Sequence, residues 1–151
     1  MTLDQKINEC NYKIRKNYTV IESNCERIRF LEQEIDDLRL TENKIQNVYN
    51  TLQTTTNASK STFNQIFSVV KRSIISFSFF GSLNDILNGP EFNKANDSLI
   101  NSINKIENQI KMYQEEISDL QNENYKLNTE NKSLMNKKAM YYTQKSQGLL
   151  I

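Results

Sequence analysis

LDQKINECNYKIRKNYTVIESNCERIRFLEQEIDDLRLTENKIQNVYNTL, residues 3–52, carries an apolar residue every seven positions. Ile7, Ile14, Ile21, Ile28 and Ile35 recur at strict heptad spacing, and Leu3, Cys10, Leu31, Leu38, Ile45 and Leu52 sit at the second apolar position of the same repeat. These are a and d positions of a coiled coil, so the stretch predicts one long helix with a narrow apolar seam. Two d positions are polar, Asn17 and Asn24, and one a position is Glu42. Tyr12, Tyr18, Val20, Phe30, Leu40 and Val48 lie outside the seam. Such residues are either ordinary surface contacts or the footprint of a second helix.

The other end of the chain repeats the pattern. Leu99, Ile106, Tyr113, Leu120, Leu127, Leu134 and Tyr141 take one seam position, and Ile103, Ile110 and Ile117 take the other, which continues as Asn124, Asn131 and Lys138. Two seams of similar length with matching polar breaks predict an antiparallel pair. An asparagine set against leucine leaves its amide unpaired, whereas asparagine against asparagine satisfies it. Asn17 is therefore expected on Asn131 and Asn24 on Asn124, a register that also sets Ile14 on Leu134 and Leu31 on Ile117. Flanking charges are weaker guides. They bring Arg27 near Glu123 and Arg39 near Glu107, but also Glu34 near Glu116. A parallel homodimer is the competing assembly, since Ile at a with Leu at d favours two parallel strands.

Between the arms lies an apolar segment. Thr54-Thr55-Thr56-Asn57 is a run of weak helix formers, expected to end the first arm, with Ser59 or Ser61 capping a new helix. Phe63, Ile66, Phe67, Val70, Ile74 and Phe77 then recur at three- and four-residue steps. Phe79-Phe80-Gly81 interrupts them, Ser82-Leu83-Asn84-Asp85 has the spacing of a capping box, and Asn88-Gly89-Pro90 stops one helix and opens the next. The expected fold is all-α: a long antiparallel helical hairpin with an apolar helical elbow. It forms one elongated domain, with a first arm at 1–53, the elbow at 54–91, a second arm at 92–145 and a frayed tail at 146–151.

Composition narrows the function. Of 151 residues 37% are hydrophobic, and 19 Lys and Arg balance 18 Asp and Glu to a net +1. Mixed charge without a cationic cluster argues against nucleic-acid binding and against a polybasic membrane patch. Lys71 and Arg72 break the most apolar window, which is too short to span a bilayer. MTLDQKINEC has no basic-then-apolar signal, so the expected location is the cytoplasm. With no histidine, the usual metal and catalytic-dyad chemistries lose their commonest group. Cys10 and Cys25, on one helix, stand roughly 22 Å apart and cannot bridge. Adjacent carboxylates such as Asp36-Asp37 and Glu115-Glu116 read as solvated helix faces. Neither an enzyme, a metal site nor a cofactor is expected.

The aromatic residues of the elbow exceed what two helix ends readily bury, and a leftover apolar patch marks a binding surface. Phe77, Phe79, Phe80, Gly81 and Leu83 are the expected partner-binding residues, with Asn17, Asn24, Asn124 and Asn131 setting the register. Phe79-Phe80-Gly81, flanked by two long polar helices, resembles the Trp-x-Gly family of type VII secretion proteins, more closely its longer YwqH-like members encoded beside LXG-domain toxins. Phe79 stands where the family has Trp. The family's export signal, Tyr-x-x-x-Asp/Glu after the second helix, has no match there, and Tyr18 to Glu22 has that spacing in the other arm. The resemblance implies a targeting partner or chaperone that binds the helical N-terminal domain of a secreted toxin, or another small helical hairpin, side by side. Without its own signal such a chain would leave the cell with its partner. The alternative is a generic coiled-coil scaffold or homodimeric adaptor, which needs no apolar elbow.

Overall fold

Thr2 starts the first helix. Its hydroxyl accepts a hydrogen bond from Gln5 N at 3.2 Å, while the Gln5 side-chain oxygen accepts one from Thr2 N at 2.8 Å. This reciprocal box satisfies two backbone donors that a helix start otherwise leaves open. Lys6 N donates to Thr2 O at 3.1 Å as the helix begins, and Asp4 sits in the first turn, where a negative charge suits the helix dipole.

The computed structural model describes residues 1–70, 82 and 85–148, residues 67–70 by their backbone alone. Helix α1 spans Leu3–Val70 and helix α2 spans Pro90–Gly148. The fold is all-α, an antiparallel helical hairpin, and no strand occurs among the described residues. No helix of the described residues is long and apolar enough to cross a membrane.

The expected break at Thr54–Asn57 is absent, and α1 runs through it without interruption. Weak helix formers cost only a few tenths of a kcal/mol each relative to good ones. Here the threonine hydroxyls also stay inside the helix. Thr51 donates to Asn47 O at 2.8 Å and Thr54 to Asn50 O at 2.9 Å, the back-bonding that a mid-helix threonine adopts. The heptad continues too: Thr56 falls three repeats after Ile35 and is only 6% exposed. No new helix starts at Ser59 or Ser61.

The start of α2 follows the Asn88-Gly89-Pro90 signal. Residues 85–88 are helical, Gly89 bends, and Pro90 takes the first helical position. Asn93 N donates to Gly89 O at 3.2 Å. A Cβ at Gly89 would collide with the carbonyl oxygen of Asp85, so the bend needs a residue without a side chain. At the far end α2 continues to Gly148, into the segment expected to fray.

The chain divides into two compact units, one of Met1–Ile35 with Lys111–Ile151 and one of Asp36–Ile110. In the first, Cys10, Ile14 and Leu134 form a buried cluster with Tyr141 packed against it. Leu31 is fully buried and Ile7 and Ile35 nearly so. In the second, Ile110 and Thr56 are buried, Gln53 donates to the Asn96 side chain at 2.6 Å, and the Lys60 ammonium stands 5.7 Å from the Phe92 ring centroid.

Candidate helix-docking surface

The seam of the first unit contains two polar layers one heptad apart. Asn17 Nδ2 donates to Asn131 Oδ1 at 3.0 Å, and Asn24 Nδ2 donates to Asn124 Oδ1 at 3.0 Å. The structure thus brings together the four asparagines in the pairs that amide matching requires. Each layer has a third member that sequence reasoning missed. Asn17 Nδ2 also donates to Glu130 at 3.2 Å, and Asn24 Nδ2 to Glu123 at 2.9 Å. The signal was present as a repeated dipeptide, Glu123-Asn124 and Glu130-Asn131, which puts a carboxylate beside each seam amide.

The layers differ in one respect. Asn131 is 2% exposed and its Nδ2 has no hydrogen-bond partner. Asn124 Nδ2, in contrast, lies 3.7 Å from Cys25 Sγ, a weak acceptor.

Arg27 pairs with Glu116 and not with Glu123. Its Nε donates to Glu116 at 2.8 Å and Nη2 at 3.3 Å, a fork that holds both carboxylate oxygens. The physical reason is competition: Glu123 already accepts from Asn24, while Glu116, one heptad along the same helix, is free to turn to Arg27. The Arg27 hydrogen bond holds the Glu116 carboxyl below its ordinary value, and the Lys13 hydrogen bond does the same to Glu9. A depressed carboxylate contributes stability above its unfolded pKa and loses that contribution as pH falls through its folded pKa. Glu116→Gln is therefore expected to flatten the fall of thermal stability on acidification through and below the usual carboxylate range. Parallel melts of both chains from neutral to acid pH measure this. An unchanged acid limb would mean that the fork contributes nothing, as for many exposed pairs.

Most of the apolar residues outside the seam are solvent-facing, while Val20 is half-buried. In the first unit Tyr12, Phe30, Met112, Tyr125 and Met140 are at least half exposed. In the second, Leu40, Val48 and Ile86 are equally open, and Ile66 and Ile100 somewhat less. A shallow, open groove of about 440 Å³ runs along α1 there, lined by Asn47, Val48, Thr51, Leu52 and Thr55. Val48 and Leu52, one helical turn apart, are its large apolar members. The groove has a shape that accepts a side chain from a neighbouring helix. All five lining residues lie on one continuous helix, so their spacing does not depend on a partner.

The expected partner-binding residues Phe77, Phe79, Phe80, Gly81 and Leu83 lie outside the described residues. The groove at Val48 was not among the sequence expectations, although Val48 itself stood out as apolar and off the seam. No cluster of metal-ligating side chains occurs among the described residues. No known protein family, curated protein or solved structure matches this chain.

Proposed function

We propose that this chain is a non-catalytic helical interaction protein that docks the helices of a protein partner side by side. The observation that carries this reading is the apolar groove of the second unit, where Val48 stands 57% exposed beside Leu52. Val48 lies off the seam and is left open, so it is a side chain free to meet another helix. On the resemblance carried by Phe79-Phe80-Gly81, the partner is the helical N-terminal domain of an LXG-type secreted toxin. The chain then serves as its targeting partner or chaperone, leaving with it through type VII secretion.

Co-expression with such a domain tests both levels. Val48→Asp is expected to cost about 2 kcal/mol or more of binding, the size of an interface hot spot. Its melting temperature should be unchanged, because Val48 is exposed. Phe79→Ala with Phe80→Ala should weaken binding similarly. If the domain binds wild type and both variants equally, neither surface docks it. If the toxin domain fails to bind wild type at all, the secretion reading falls and the generic scaffold stands.

A further inference from the structure

The net charge of +1 conceals a segregation along the first unit. Residues 1–21 and 124–148 hold nine Lys and Arg against three Asp and Glu, a side-chain charge of +6. Residues 22–35 and 111–123 hold three against eight, a charge of −5. Because Asn17 meets Asn131 and Asn24 meets Asn124, each set occupies one length of the paired helices.

The separation is cleanest on one flank. With a and d in the seam, the c and g positions of both antiparallel helices share a side, the side on which Arg27 reaches Glu116. On that flank the first length carries five lysines and two glutamates, and the second carries four acids and one arginine. The flank is therefore +3 along one half and −3 along the other. Its exposed apolar residues are Phe30, Met112 and Met140, at 50%, 61% and 60%.

We propose that a second copy of this chain packs on this flank, antiparallel, about a two-fold axis at the level of Ser23 and Lys126. A parallel copy would set like charge on like along the whole length. An antiparallel copy sets each basic half on an acidic half, and complementary potentials of this kind select orientation and register. The two-fold places α1 on the partner's α1 and α2 on the partner's α2, so c positions meet c positions. Met112 then meets Met140 of the other copy, and each Phe30 meets a Lys16, a cation over a ring. At the g positions Lys13 approaches Glu34, and Lys137 approaches Glu116. Two kinds of contact oppose the arrangement: Lys126 meets its own copy at the axis, and Glu123 meets Glu130 of the other copy, although Asn24 and Asn17 already donate to these two carboxylates. The inference goes beyond the function proposed above, since it concerns the first unit and not the groove at Val48.

Sedimentation equilibrium of the full chain tests it. Wild type is expected to dimerise at low salt and to weaken in 1 M salt, where the screening length falls to about 3 Å. Lys13→Glu with Lys137→Glu in one chain, and Glu34→Lys with Glu116→Lys in another, should each weaken self-association by about tenfold or more. Mixing the two variant chains should restore a heterodimer, because every reversed charge then meets its opposite, and that rescue excludes simple misfolding. A wild type that stays monomeric at all concentrations overturns the proposal. So does a dimer indifferent to both reversals, or one that mixing fails to rescue.

Discussion

Leu31→Ala is expected to destabilise the chain by about 2–5 kcal/mol, the range for emptying a fully packed leucine site. Leu31 has no exposed surface, the deepest burial among the described residues. In a protein of this length roughly 2–4 °C of melting temperature goes with each kcal/mol, so a thermal scan resolves the change easily. Leu40→Ala serves as the internal control. Leu40 is 55% exposed, and its truncation should move the melt by less than about 0.5 kcal/mol. The two leucines are nine residues apart on one helix and have the same intrinsic helix preference. Only their position in the heptad differs. Equal effects would mean that the seam does not bury Leu31 in solution.

Asn17→Leu combined with Asn131→Leu is expected to raise stability, by more than Asn24→Leu combined with Asn124→Leu. Both doubles exchange a polar layer for an apolar one, which is commonly neutral or stabilising by about 1–4 kcal/mol. The first also removes the orphaned Nδ2 of Asn131, a buried donor whose desolvation costs roughly 1–3 kcal/mol. Single substitutions should go the other way. Asn131→Leu alone takes the Oδ1 acceptor from Asn17 and leaves that amide with Glu130 only. Denaturant melts of the four chains make the comparison. If the two doubles gain equally, the orphaned donor is satisfied in solution. If the first double loses stability, the layer is more than a register device.

What the sequence disclosed divides by physical cause. The asparagine pairs were legible because a polar residue in an apolar seam has one inexpensive partner, another polar residue at the same level. The partner of Arg27 was not, because a long flexible side chain on the flank reaches carboxylates in two successive heptads. The choice between Glu116 and Glu123 was made by a third residue, Asn24. The end of α1 was misplaced for a related reason. A threonine run reads as a helix stop when propensity is weighed alone, but the heptad passes through it and buries Thr56. The box at Thr2 and Gln5 was present as a Thr-x-x-Gln spacing and was overlooked beside the stronger heptad signal. The groove at Val48 was beyond reach, since it depends on the depth left between side chains and not on their pattern.

The hydrogen bonds that close the two units differ greatly in the length of chain they span. Gln53 and Asn96 are 43 residues apart, whereas Asn24 and Asn124 are 100 apart and Asp4 and Lys145 are 141 apart. During synthesis the isoleucine seam of residues 7–35 therefore emerges long before the residues that cover it. At about 5–20 residues per second, a lag of 100 residues lasts roughly 5–20 s. Throughout that interval the most deeply buried part of the finished protein, Leu31 included, is an uncovered apolar stripe. A second nascent chain or a chaperone has those seconds in which to reach it, and the seam closes to both when residues 113–141 are made.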